Sequence, residues 1–193
     1  MSIRAFIAIP LPSKVKLAIR SLGEQLVEKG LRLRLVRPEG IHCTLRFLGN
    51  IEESQVNPIG QAMERASQGI QVATMNTKGI GVFPNPARTR VLWVGIGGET
   101  GPVTTLHERL QGELRVLGFE PEKRGFSPHL TVGRWRSPLG RAERELLREA
   151  LEEHSCWSGG EFDLKEVVLY QSTLHPSGAR YTPLKKVTVG EER

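Results

Sequence analysis

One order of elements is written twice along this chain: helix, strand carrying His-x-Thr, helix, strand, strand. A repeated order of this kind builds two similar halves, and it restricts the architecture more than any single motif. A strand over Arg4 to Ile9 comes first, with Phe6 and Ala8 on one side. Val15, Ala18, Ile19, Leu22 and Leu26 follow at helical spacing behind a Ser13 N-cap, and Gly30 is the stop. Leu31, Leu33 and Leu35 alternate with Arg32 and Arg34 and predict a strand with one basic face. The first His-x-Thr run ends at Gly49. A helix near Glu53 to Ser67 comes next, then strands near Gln71 to Gly81 and Arg90 to Gly95 around the turn Pro84-Asn85-Pro86. The second half has an amphipathic helix over Pro102 to Leu117, the second His-x-Thr strand and a charged helix from about Ser137 to His154. Strands near Phe162 to Tyr170 and Tyr181 to Val189 close it. Gly97, Gly98 and Gly101 mark the join. The expected fold class is α+β: two pseudo-symmetric lobes, each an antiparallel sheet with helices on its outer face, around a central cleft. The 193 residues then form a single bilobal domain. Lobe 1 covers roughly residues 1–97 and lobe 2 roughly 98–193, with room for strands to exchange between lobes.

The motifs are Ile41-His42-Cys43-Thr44-Leu45 and Pro128-His129-Leu130-Thr131-Val132. On a strand, residues i and i+2 project from one face. His42 therefore points with Thr44, and His129 with Thr131, while Cys43, Leu45 and Phe47 or Leu130 and Val132 turn back into the protein. Imidazole titrates near pH ~6.5 and serves as acid or base at neutral pH. Two imidazoles on opposite sides of a phosphodiester could activate a nucleophile and protonate a leaving oxygen, with Thr hydroxyls on the phosphoryl oxygens. A lone strand histidine is usually structural. Two, at corresponding places of a repeated unit, point to catalysis.

Composition bounds the setting. Hydrophobic residues make up 38% and charged residues 25%, which reads as a soluble globular protein. The formal net charge of +6 and pI near 9.7 fit either a polyanionic partner or a basic solvated surface. Cys43 and Cys156 form no C-x-x-C pair, so neither a disulfide framework nor a zinc ribbon is expected. The apolar N-terminus is interrupted by Pro10 and Pro12 and reads as a strand rather than a signal peptide. No run approaches the ~20 apolar residues of a membrane span, so a cytoplasmic location is expected. No Walker-type phosphate loop or dinucleotide fingerprint is present, and no cofactor or metal is expected.

The segments Ile41-His-Cys-Thr-Leu-Arg-Phe-Leu-Gly49 and Phe126-Ser-Pro-His-Leu-Thr-Val-Gly-Arg134 resemble the two-histidine (2H) phosphoesterase superfamily. Within it they are most similar to the bacterial and archaeal RNA 2',3'-cyclic phosphodiesterases, also called 2'-5' RNA ligases. Arg4-Ala-Phe-Ile-Ala-Ile9, Val82-Phe83-Pro84 and the stretch from Tyr170 to Tyr181 add to the likeness, which runs in order through nearly the whole chain. The resemblance implies a bilobal fold around a basic cleft. It implies hydrolysis of a 2',3'-cyclic phosphate at an RNA end to a 2'-phosphomonoester. His42 would be the proton donor, His129 the proton acceptor, and Thr44 and Thr131 the phosphate-holding residues. ATP-independent 2'-5' ligation follows if an RNA 5'-hydroxyl replaces water. The implied partner is RNA with a cyclic phosphate end, tRNA fragments among the candidates. A monomer and no membrane contact are expected.

Other residues carry two readings. Arg46 faces the cleft if alternation holds, as a phosphate contact or a sheet-edge charge. Arg134 matches a family arginine but needs a bulge, which Gly133 permits, to join His129. By parity Phe47 belongs to the core. Phe83 and Phe126, in loops, are candidates for stacking on a base or lids on a core, and Tyr181 is either a cleft or a structural tyrosine. His107 reads as a solvated surface residue and His154 as a helix cap. His175, in a turn-like stretch before Pro176, is either a residue near the cleft or one without a role. The rival functions are an RNA-binding protein using the basic cleft without turnover and a metallo-hydrolase. Two histidines without nearby Asp, Glu or Cys make the latter a poor zinc site.

Overall fold

A computed structural model describes residues 2–122, 125–175 and 178–190. In chain order they form β1 (Ser2–Ile9), α1 (Ser13–Glu28), β2 (Arg34–Leu35), β3 (Cys43–Glu52), α2 (Val56–Ser67), β4 (Thr74–Phe83) and β5 (Val91–Gly98). Then come α3 (Gly101–Val116), β6 (His129–Arg134), α4 (Arg141–Glu153), β7 (Glu161–Asp163), β8 (Glu166–His175) and β9 (Gly178–Thr188). The fold is mixed α+β, and all the described strands join one antiparallel sheet, in the order β7-β4-β5-β6-β3-β1-β8-β9 with β2 on β6.

Local chemistry accounts for most elements. Val15, Ile19, Leu22 and Leu26 form the buried stripe of α1, each worth about 2 kcal/mol on burial. Gly30, at φ 109°, ends the helix where an L side chain would be strained. Ser13 is the first helical residue rather than the cap: Pro12 occupies the N-cap in extended conformation and makes no side-chain bond. The Leu31 to Leu35 alternation yields only the two paired residues of β2. Upstream, Leu31 N–H bonds Leu26 and Arg32 N–H bonds the Glu143 carboxylate, which takes the backbone out of any ladder. The predicted strand over Phe162 to Tyr170 is two strands. β7 pairs with β4 on one edge of the sheet, and β8 pairs with β1 and β9 on the far side. Pro176 and Ser177, between β8 and β9 in the sequence, lie outside the described residues.

The two halves of the chain do not each build their own sheet. β1 and β3 pair with each other, and β1 with β8, while β4 and β5 pair onward to β7 and β6. Residues 97/98 therefore lie within one side of the sheet. α1 packs on β2 and β6 and α4 on β4, whereas α2 packs on β9 and α3. A short connection ties immediate neighbours such as β4–β5; the other pairings are chosen by apolar faces that fit. The main core lies under the helices, with Ile7, Ile9, Cys43, Leu45, Leu130 and Val132 nearly free of solvent. The opposite face is left open for the site.

Candidate functional site

The two motif strands meet at one pair, Cys43 with Leu130. Continued one residue either way, that antiparallel register sets Thr44 across from His129 and His42 across from Thr131. The pair is a local two-fold axis: each imidazole lies beside the other motif's threonine. Diagonal positions of such a ladder are about 7–8 Å apart, which leaves room for one phosphate group between the rings. The rings are close enough that His129 contributes electrostatically to His42. His42, His129, Thr44 and Thr131 are all partly exposed, whereas Cys43 and Leu130 beneath them are fully buried.

Each ring has one nitrogen tied to the backbone. His129 Nδ1 donates to the Ser127 carbonyl at 2.8 Å, which leaves Nε2 to face the cleft. His42 makes a corresponding hydrogen bond to the Gly40 backbone. Aromatic rings wall both. Phe6 stacks on His42 with centroids 4.7 Å apart, and Tyr181 meets it edge-on at 5.2 Å. Tyr170 stacks on Phe6 at 5.4 Å. On the other side Phe83 stands edge-on to His129 at 4.9 Å, and Trp93 lies 5.2 Å from Phe83. The Trp93 indole covers Gly81 so closely that a Cβ there would come within 2.2 Å of it. Burial disfavours the imidazolium, and Lys16 adds to this, so His42 is lowered from 6.5 to about 4. His129 is lowered too, by burial first, with the Ser127 bond opposing. Both rings are neutral near pH 7 in the free protein.

Strict alternation fails in both motifs, at the same place. Thr44 pairs with Ala8 but Arg46 with Ile7, so Leu45 is an extra residue in β3. Arg46, expected as a phosphate contact, is thereby turned to the helix-covered face, where it is 5% exposed. Its Nη2 donates to the Glu120 carbonyl and its Nη1 lies 3.5 Å from the Glu122 carboxylate. Phe47, expected in the core, swings out beside Phe6 and is 60% exposed. In β6, Thr131 pairs with Trp93 and Gly133 with Leu92, so Val132 is the extra residue, one position before the glycine thought to permit a bulge. Arg134 consequently returns to the face of Thr131 and acts electrostatically on His42, His129 and Tyr181. One residue after each threonine the strand bulges, and the matched residues become Phe47 in one half and Arg134 in the other.

His107, expected at the surface, is buried and stacks on Phe126 with centroids 4.0 Å apart and planes 8° from parallel. Phe126 is thus a lid on that ring rather than a platform in the cleft. It is also the residue before Ser127, whose carbonyl holds His129. Phe83 and Tyr181 do line the cleft. His154 occupies the C-cap of α4.

The family model described as LigT like Phosphoesterase matches residues 9–93 and 96–181, one stretch in each half. The chain belongs to the LigT-like phosphoesterase family. It is 33% identical to the RNA 2',3'-cyclic phosphodiesterase of Methanothermobacter thermautotrophicus over 187 residues, 96% of this chain and 98% of that one. It is likewise 33% identical to the protein of that name from Methanocaldococcus jannaschii, over 95% of this chain and 99% of that one. The crystal structure of TT0787 of Thermus thermophilus superposes with a TM-score of 0.79 at 26% identity, covering 98% of this chain and all of that one. That of LigT from E. coli complexed with 3'-AMP shares the fold, with a TM-score of 0.78 at 22% identity over 99% of this chain and all of that one.

For a LigT-like phosphoesterase, the features that sequence reasoning missed here are the walls formed by Phe6, Tyr170 and Trp93 and the bulge at Leu45. Gly81 was the available signal for the first: a glycine inside a strand marks close approach, here by an indole. Among the described residues, no group of three or more His, Cys, Asp or Glu side chains is placed to hold a metal ion. Nor is any helix there long and apolar enough to cross a membrane. What converges around the motif pair is two imidazoles, two hydroxyls and the Arg134 guanidinium, a set suited to proton transfer around a phosphate.

Proposed function

We propose that this LigT-like phosphoesterase opens 2',3'-cyclic phosphates at RNA ends to 2'-phosphomonoesters. The observation that carries the reading is the motif pair itself. Two imidazoles take diagonal positions of one ladder on a shared face, each pinned through one nitrogen and opposed by a threonine. The names of the relatives supply the substrate class.

In this reading the cyclic phosphate sits between the rings, with Thr44 and Thr131 donating to its oxygens and Arg134 beside its negative charge. His129 Nε2 takes a proton from water as the oxygen attacks phosphorus. The bond from phosphorus to the 3' oxygen breaks, and His42 gives that oxygen its proton. One water is consumed, and the product carries a 3'-hydroxyl and a 2'-phosphate. His42 is neutral in the free protein, so it must gain its proton with the substrate. The bound anion favours the imidazolium and offsets the burial that lowers it. If an RNA 5'-hydroxyl stands where water does, the same displacement makes a 2'-5' bond without ATP. We further assign the protein to the cytoplasm as a monomer, with tRNA fragments as candidate substrates.

The test is incubation with a nucleoside 2',3'-cyclic phosphate in EDTA, with and without a 5'-hydroxyl acceptor. Accumulation of the 2'-monophosphate supports the proposal. No turnover in EDTA would leave the rival readings: turnover restored by added metal ion would favour a metallo-hydrolase, and RNA binding with no turnover under either condition a basic cleft without catalysis.

A further inference from the structure

A cavity rich in arginine lies where β2 joins β6. β2 pairs with β6 alone, Arg34 facing Arg134 and Leu35 facing Gly133. Leu35 packs toward α1, where a Cβ on Gly23 would meet it at 2.7 Å. Arg34 therefore shares the open face with Arg134, and side chains directly opposite in an antiparallel pair stand about 4.5–5.5 Å apart at Cβ. Like charges so placed destabilise a ladder. Neither guanidinium is paired with a carboxylate among the described residues.

Arg34 also lines a cavity of about 390 Å³ together with Arg32, Trp135, Arg136, Ser137 and Glu143. Glu143 is the floor. Its carboxylate, 7% exposed, accepts from Trp135 Nε1 at 2.9 Å and from the Arg32 backbone and guanidinium at 2.8 and 3.1 Å. That carboxylate is fully committed, and it holds Arg32 and the Trp135 indole in place. Arg34 and Arg136 remain exposed around the rim. The cavity thus carries three guanidinium groups against one carboxylate, and Arg34 joins it to the face that holds Arg134 and the two imidazoles.

We infer that this cavity is a subsite for a phosphate ester upstream of the cyclic end, held by Arg34 and Arg136, so that the preferred substrate is an oligoribonucleotide rather than a single nucleoside. This rests on the reading that the cyclic phosphate sits between His42 and His129. The upstream ester has two sources, an internal phosphodiester of an RNA strand or the 5'-phosphate of one nucleotide.

The experiment compares kcat/KM on a nucleoside 2',3'-cyclic phosphate, on its 5'-phosphorylated form, and on a tetranucleotide ending in the cyclic phosphate. Wild type should favour the tetranucleotide. In an Arg34→Gln, Arg136→Gln variant, the ratio of tetranucleotide to nucleoside should fall about tenfold or more. The salt dependence of tetranucleotide binding should also weaken by about 0.7 in log–log slope, for one neutralised phosphate on a single strand. Arg34→Lys with Arg136→Lys should recover part of the ratio. A gain on the 5'-phosphorylated nucleoside equal to that on the tetranucleotide identifies a single nucleotide as sufficient; a gain on the tetranucleotide alone identifies an internal diester. A ratio that is unity in wild type, or identical in the glutamine variant, overturns the subsite. Binding is read separately, by fluorescence anisotropy of a labelled tetranucleotide 2'-monophosphate. If wild type turns over none of the three substrates, the catalytic reading falls. The subsite then stands only if binding weakens in the glutamine variant.

Discussion

Acid should destabilise this protein through His42 before it reaches the carboxylates. The folded chain holds that imidazole at about 4, against an ordinary 6.5, chiefly because burial disfavours its charge. Between those two values the unfolded chain binds a proton that the folded chain does not. Stability from this group is therefore complete above pH ~6.5 and is lost as pH falls toward 4. At about 1.4 kcal/mol per pH unit the full loss is about 3 kcal/mol, and at pH 5 it is already about 2 kcal/mol. For a chain of this size that corresponds to roughly 4–8 °C in Tm. The His129 ring, also lowered, acts with the same sign. Glu143 and Asp163, whose carboxyls are lowered, add to the acid loss only below their ordinary range near 4. The perturbation is His42→Asn, which keeps a polar N–H but cannot titrate. Urea unfolding of both proteins at pH 7, 6 and 5 gives the stability difference at each pH. The wild type should lose about 2 kcal/mol relative to the variant between pH 7 and pH 5. A difference that stays constant across that window would refute the argument that burial holds the ring neutral.

Inorganic phosphate should raise the titration midpoints of both rings, because an anion between them opposes burial; NMR titration of the histidine side chains with and without phosphate measures this, and unchanged midpoints would place the anion elsewhere. His42→Ala and His129→Ala should each lower kcat/KM on a cyclic phosphate by roughly 10²–10⁴-fold with the fold intact by circular dichroism, and full turnover by either would remove that ring from the chemistry. Arg46→Met should cost about 1–3 kcal/mol in urea unfolding through loss of its ties to Glu120 and Glu122, with a smaller effect on turnover than either histidine variant; the reverse pattern would mean that Arg46 touches substrate. Gly81→Ala should push the Trp93 indole off its strand and lower kcat/KM, read together with tryptophan fluorescence, and an unchanged spectrum would contradict the 2.2 Å approach.

Much of the site was written locally. Each His-x-Thr sits in an apolar run, and a strand's period of two suffices to aim histidine and threonine together and to bury Cys43 and Leu130 behind them. The repeated order of elements and the stripe of α1 were legible for the same reason: both depend on residues a few positions apart. The fates of Arg46 and Phe47 were not, and that of Arg134 was legible only as a condition, a bulge near Gly133. Each depends on a single extra residue, Leu45 or Val132, that only the partner strand's register makes extra. His107 and Phe126 escaped likewise, because what buries a helix histidine is a ring from a loop nineteen positions away. The sequence by itself determined which groups are the candidates for the proposed chemistry, since motif and period are short-range properties. Only the tertiary structure decided which of them share a face, because strand exchange and bulges are settled by long-range pairing, and one residue of slip moves a side chain to the other side of the sheet.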